Sequence, residues 1–165
     1  MPTFPADVSA EKLSRPCGAF VTLTRDGRLR GCIGSIVGTS PLYAEVRANA
    51  GNAAFRDPRF PPLEREELDG TEIEISVLTP LVRVAGPEEI EVGRHGVVLE
   101  REGRRAVFLP QVAPEQGWDR ETMLGHLAVK AGLARDAWRA KTTFDVFEAL
   151  VFSEEEVGRE PGGRP

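Results

Sequence analysis

The chain has 165 residues and a formal net charge of −5, from 26 acidic against 21 basic side chains. That length suits one domain or two small packed subdomains, and the acidic balance disfavours nucleic acid, whose duplex-binding partners show a basic surplus or stripe. No apolar run approaches the roughly 20 residues of a membrane helix, and Met1 to Ala10 lacks the basic start and apolar block of a secretory signal.

In chain order, Ser9 to Leu13 predicts no more than a helical turn. Two alternating runs follow, Ala19 to Thr24 and Leu29 to Ser35, separated around Asp26-Gly27, and they read as a β-hairpin. The second run holds Arg30-Gly31-Cys32-Ile33-Gly34. Glycine weakens a strand, so two of them around a cysteine point to a close approach by a ligand or another part of the chain. A three-residue loop, Arg25-Asp26-Gly27, pairs Val21 with Gly31 and Ala19 with Ile33. It gathers Ala19, Val21, Leu23, Leu29 and Ile33 on one apolar face and sets Arg30 and Cys32 together on the other. In that register Cys17 and Cys32 lie on opposite faces, roughly 10 Å apart along the strand direction. This is too far for a disulfide, so a reducing, cytoplasmic setting is expected. Two cysteines and two histidines without close spacing make no zinc motif.

Ser40 as a cap and Pro41 at the first position predict a helix to about Arg56, burying Leu42, Val46, Ala50 and Ala53. Glu45, Asn49, Asn52 and Arg56 form a polar stripe beside that face, which reads first as solvated. Asp57-Pro58-Arg59-Phe60-Pro61-Pro62-Leu63 is a proline-stiffened connection, a fair wall for a site. Thr71 to Thr79 alternates as a strand, and a short strand is expected at 81–84. After a helical turn at Pro87 to Ile90, two strands follow, Val97 to Arg101 and Arg105 to Leu109, joined at Glu102-Gly103. Leu109 to Val112 leads into a loop. Asp119 caps a helix from Arg120 to about Ala131 that Gly132 stops, and Thr143 to Phe152 reads as one last strand. The charged, Gly/Pro-rich tail, residues 153–165, is expected to be disordered. Hairpins with two substantial helices, without steady βαβ alternation, predict an α+β fold.

Gly18 to Leu23 with Leu29-Arg30-Gly31-Cys32-Ile33-Gly34 resembles the signature of the AMMECR family, named for the AMME-syndrome chromosomal region. So do Ala53 to Leu63, Glu72 to Leu78, Leu109-Pro110-Gln111-Val112, Gly117-Trp118-Asp119, Lys130-Ala131-Gly132-Leu133 and Ala137-Trp138. The likeness runs in order over about residues 17–152. It implies one α+β domain, mainly antiparallel sheet flanked by helices, with a second, smaller sheet subdomain around 82–118. It also implies a cytoplasmic protein, with Memo-type and radical SAM proteins as companions. It names neither a reaction nor a cofactor. Relatives often carry a cysteine where this chain has Ala128, so a dithiol shared with Cys32 is not available here.

Cys32 is the residue with nucleophilic promise, since a nearby cation favours the thiolate. Arg30, Asn49, Arg56, Asp57, Phe60 and Gln111 are the expected walls of a cleft on its face, with the arginines holding an anionic group of a small molecule or peptide. Arg56 and Arg59 would converge on Cys32 if the helix packs over that face. The alternative is a small buried thiol that lets a helix pack closely, in a non-catalytic interaction module. His126 is the natural base for a Cys-His pair, yet it sits beside the apolar stripe of its helix, and His95 lies in a glycine-flanked turn.

Overall fold

A computed structural model describes residues 10–154. Residues 1–9 and 155–165, the latter holding most of the expected tail, lie outside the described residues. In chain order the elements are α1 (Ala10–Ser14), β1 (Ala19–Arg25), β2 (Arg28–Ser35), α2 (Leu42–Phe55), β3 (Thr71–Leu78), β4 (Val82–Val84), β5 (Gly96–Arg101), β6 (Arg104–Phe108), α3 (Val112–Gln116), α4 (Arg120–Lys130), β7 (Thr143–Phe147) and β8 (Ala149–Ser153). Short 3₁₀ turns stand at Arg65–Gly70, Pro87–Glu89 and Ala137–Arg139. The chain divides into two units, one from the N-terminus to Leu78 and again from Leu150, the other Thr79–Ala149. Each carries a four-stranded sheet, in the orders β2-β1-β3-β8 and β4-β7-β5-β6. The expected smaller sheet thus equals the first in strand number.

The first hairpin turns on two residues. Asp26 (φ 52°) and Gly27 (φ 70°) both take left-handed backbone, the conformation that matches the twist of a tight hairpin. Arg25 pairs with Arg28 and Thr24 with Leu29, but Leu23 then pairs with Gly31, Thr22 with Cys32 and Val21 with Ile33. Arg30 is the unpaired extra residue of a β-bulge. The expected register of Val21 with Gly31 is therefore off by two positions. A shift of two preserves the faces, so Val21, Leu23 and Ile33 still share one side and Cys32 lies on the other. Below the bulge the alternation flips: Leu29 stands with Thr24 and is 43% exposed, off the apolar face expected for it.

α2 packs on the Val21 side. Ala53 is buried against Val21 and Leu23, with Val46, Ala50, Ala54, Ile33 and Ile75 around them. Gly31 is required there, because a Cβ would collide with the Ala53 carbonyl oxygen. The expected Ser40 cap is not made. Pro41 holds the cap position without a side-chain bond, and the Glu45 carboxylate receives the Thr39 and Ser40 N–H groups, each at 3.1 Å. Asn49 also leaves its expected solvated stripe. It is 7% exposed and donates to the Ala19 carbonyl at 3.0 Å, which satisfies a polar group that burial would otherwise penalise. Gly51 differs from Gly31: a Cβ there would meet nothing within 4 Å, although a glycine inside a helix costs about 1 kcal/mol relative to alanine.

In the second unit α4 lays Leu124 and Leu127, both fully buried, on a core with Val97, Leu99 and Phe144. Asp119 caps the helix by accepting the Thr122 N–H at 2.8 Å, and Gly132 (φ 75°) ends it in left-handed backbone. The last apolar run is not the single strand its pattern predicts. It is cut at Glu148 into β7 and β8, which belong to different sheets. The residue types do not reveal that cut, because the apolar run continues through Ala149-Leu150-Val151-Phe152 without a turn residue.

Candidate functional site

The Arg30-Gly31-Cys32 segment lies on β2, an edge strand of the first sheet. An open edge leaves backbone donors and acceptors without partners. Here two side chains take the place of a neighbouring strand. Asp57 accepts the Cys32 N–H through Oδ2 at 2.9 Å, and Arg59 donates from Nη2 to the Cys32 carbonyl at 3.1 Å. The pair is locked to itself: Arg59 Nε and Nη2 donate to Asp57 Oδ1 and Oδ2 at 2.9 and 2.7 Å, and the Arg59 backbone N–H donates to Oδ1 at 3.1 Å. Asp57 is 3% exposed. The Arg59 guanidinium, aided by the Cys32 amide, overrides the cost of that burial and holds the carboxyl well below the ordinary carboxylate range.

The Asp57-Arg59 pair holds the main chain of Cys32, and the Arg59 guanidinium, whose pKa is raised first by Asp57, also interacts with the Cys32 side chain. Because both backbone groups of Cys32 point outward to the loop, its pairing with Thr22 is the non-hydrogen-bonded kind, in which facing side chains come closest. The Thr22 hydroxyl accordingly donates to the Cys32 Sγ at 3.4 Å. Cys17 and Cys32 are both free thiols and both partly exposed.

Displaced from the alternation by the bulge, Arg30 turns to the same connection. It grips Glu67 through Nε and Nη2, both at 2.8 Å, and donates to the Pro61 and Pro62 carbonyls at 3.0 and 3.3 Å. Its side chain is 12% exposed. Glu67 also accepts from Arg25 at 3.1 Å and from the Glu64 N–H at 2.8 Å. Arg30, then the Glu64 amide, lower the Glu67 carboxyl to about 2. Phe60 meets both guanidiniums, with its ring centre 6.0 Å from Arg30 and 5.6 Å from Arg59. Leu63 ties the connection back to α2 through the Ala54 carbonyl at 2.8 Å.

Of the residues expected at the site, the structure gathers Arg30, Asp57 and Phe60 around Cys32. α2 packs on the Gly31 side, opposite the Cys32 side chain, so Asn49 stands across the sheet from it. Arg56, at the end of α2, is exposed and does not converge there. Gln111 belongs to the second unit, ahead of α3. Both histidines are in that unit too: His95 Nδ1 accepts the Glu91 N–H at 3.1 Å, and His126 stacks on Trp118 at 4.1 Å. Sequence reasoning missed Thr22 and Glu67. The Glu64 to Glu67 spacing, that of a capping motif, is the signal that marks Glu67. No group of three or more metal-binding side chains occurs among the described residues, and no helix there is long and apolar enough to cross a membrane.

Comparison with known proteins agrees with these motifs. The AMMECR1 family model matches residues 2–152. The chain is 43% identical over 157 residues to the protein NEQ441 of Nanoarchaeum equitans, covering 90% of this chain and 87% of that one. It is 44% identical over 148 residues to the protein MJ0810 of Methanocaldococcus jannaschii, covering 84% and 74%. Among solved structures, the uncharacterized protein PH0010 from Pyrococcus horikoshii superposes with a TM-score of 0.82 at 40% identity, covering 92% of this chain and 79% of that one.

Proposed function

This chain belongs to the AMMECR1 family, and from that premise we propose that it is a non-catalytic interaction module whose Cys32 face receives a segment of a partner protein. The observation that carries this reading is the target of the polar groups around Cys32. Asp57 and Arg59 hold its amide and carbonyl, and Arg30 is committed to Glu67 and two proline carbonyls. These main-chain bonds stiffen the strand, which suits a preorganised docking ledge. Arg59, its side chain 54% exposed, and the partly exposed ring of Phe60 supply the kind of aromatic and arginine anchors that dominate interfaces. The family resemblance makes Memo-type and radical SAM proteins the partners to try first.

Two observations favour a second reading. The Thr22 hydroxyl donating to Sγ at 3.4 Å and the Arg59 guanidinium interacting with the Cys32 side chain would both stabilise a thiolate, as a Cys-based enzyme acting on a small molecule or peptide requires. The test is binding of the purified Memo-type protein, by calorimetry, to the native chain and to Cys32→Ala. A module keeps its affinity within about twofold. Loss of binding in Cys32→Ala, or rapid covalent trapping of Cys32 by iodoacetamide at pH 6, sinks the module reading and returns the thiol to catalysis. Absence of binding by the native chain rejects that partner assignment.

A further inference from the structure

The other side of the same sheet carries a separate feature. The outward surface of α2 forms a groove of about 620 Å³. Tyr43 and Phe55 wall it, 57% and 58% exposed. The two rings offer a partner apolar contact at both ends of the groove. Its floor is low, made by Ala44, Ala48 and Gly51. Among the described residues Gly51 has no steric reason, because a Cβ would meet none of them within 4 Å. A glycine that no described residue requires, in a helix it weakens, fits a backbone that a partner approaches closely. Charge selects the occupant. Arg47 and Arg56 line the groove and none of its described lining residues is acidic, although the whole chain carries −5. A second copy would set arginines against arginines and is disfavoured.

We propose that this face of α2 docks an amphipathic helix of a different protein, with a small apolar ridge in the groove and Asp or Glu residues on both flanks against Arg47 and Arg56. This surface is distinct from the Cys32 ledge, so it stands or falls alone. Helix-in-groove docking of this kind is read by apolar anchors at helical spacing and by flanking charge.

The probe is a fluorescein-labelled helical peptide of about 18 residues, long enough to span such a groove. It carries an Ala/Leu ridge flanked by Glu, and its control has the same ridge flanked by Lys. Fluorescence anisotropy with the full chain is expected to show the Glu peptide binding about tenfold more tightly or better, with the preference shrinking at high salt. Gly51→Leu fills the floor without lowering the melting temperature, since leucine is the better helix former, and is expected to weaken the Glu peptide by about tenfold. Arg47→Glu should erase the preference between peptides. The proposal is overturned if the Glu peptide binds no better than the Lys peptide, or if Gly51→Leu binds it unchanged. It is also overturned if sedimentation reveals a dimer that Gly51→Leu dissolves, which would give the groove to a second copy.

Discussion

Replacing Asp57 with alanine removes the group that stands in for a neighbouring strand along β2. The carboxylate accepts four bonds: the Cys32 and Arg59 amides and two guanidinium donors of Arg59. The Cys32 amide loses its partner at a covered edge, and a bond to a charged acceptor is worth about 1.5–3 kcal/mol. The Arg59 amide and guanidinium reach water, since that side chain is 54% exposed, so they add less than about 1 kcal/mol together. The expected loss is about 2–3 kcal/mol, or a melting point lower by about 5–10 °C in a chain of this size. Urea unfolding followed by circular dichroism reads it. Arg59→Ala should cost a similar amount for the opposite reason, because it leaves the 3%-exposed carboxylate of Asp57 without its cation. With both removed, neither penalty remains in full, so the double variant should be well short of the sum of the two. Strict additivity, or an Asp57→Ala loss below about 0.5 kcal/mol, would refute the view that the pair acts as one edge-covering unit.

Acid should loosen this same connection. Asp57 and Glu67 both titrate lower in the folded chain than their ordinary values of 3.8 and 4.5. The unfolded chain therefore binds more protons in that range, and stability falls with falling pH. Their contribution is complete above the ordinary values and drains away as the pH drops from 4.5 towards 2, where the Glu67 carboxyl titrates. Denaturation midpoints from pH 7 to 2 check this, and Glu67→Gln should flatten part of the slope. Asn49→Leu should destabilise by about 1–3 kcal/mol despite its added apolar surface, because the Ala19 carbonyl loses its donor. A neutral or stabilising effect on urea unfolding would show that the bond contributes little.

The α+β class was legible because strand and helix periods are local properties. The side on which Cys32 lies was legible too, since an apolar set of Ala19, Val21, Leu23 and Ile33 survives any even shift of register. The register itself was hidden by the bulge at Arg30, which nothing in the residue types around it announces. Asn49 read as solvated because its spacing from Glu45 and Asn52 is helical. The acceptor that buries it, the Ala19 carbonyl, is thirty positions away and carries no side-chain signal. The site suffered the same way. Arg30, Asp57 and Phe60 were found as types suited to ligands. That two of them are occupied by backbone groups of their own chain depends on where the connection after α2 runs, a long-range matter that composition does not encode. The division of the last apolar run between two sheets was hidden for the same reason.

The bulge has a consequence for chain length. With Arg30 removed, Leu29 would follow Gly31 directly in the ladder, and their partners Thr24 and Leu23 are already neighbours. The two-residue turn and the pairing of Thr22 with Cys32 would both stand. Position 30 is thus a place where a one-residue insertion delivers a guanidinium to Glu67 at no expense in alignment. A deletion there should give a folded, regular hairpin that keeps its thiol on the same side and loses only the Arg30 bonds to Glu67 and the two proline carbonyls. Everywhere else in the two strands, one residue more or less would turn the hairpin inside out.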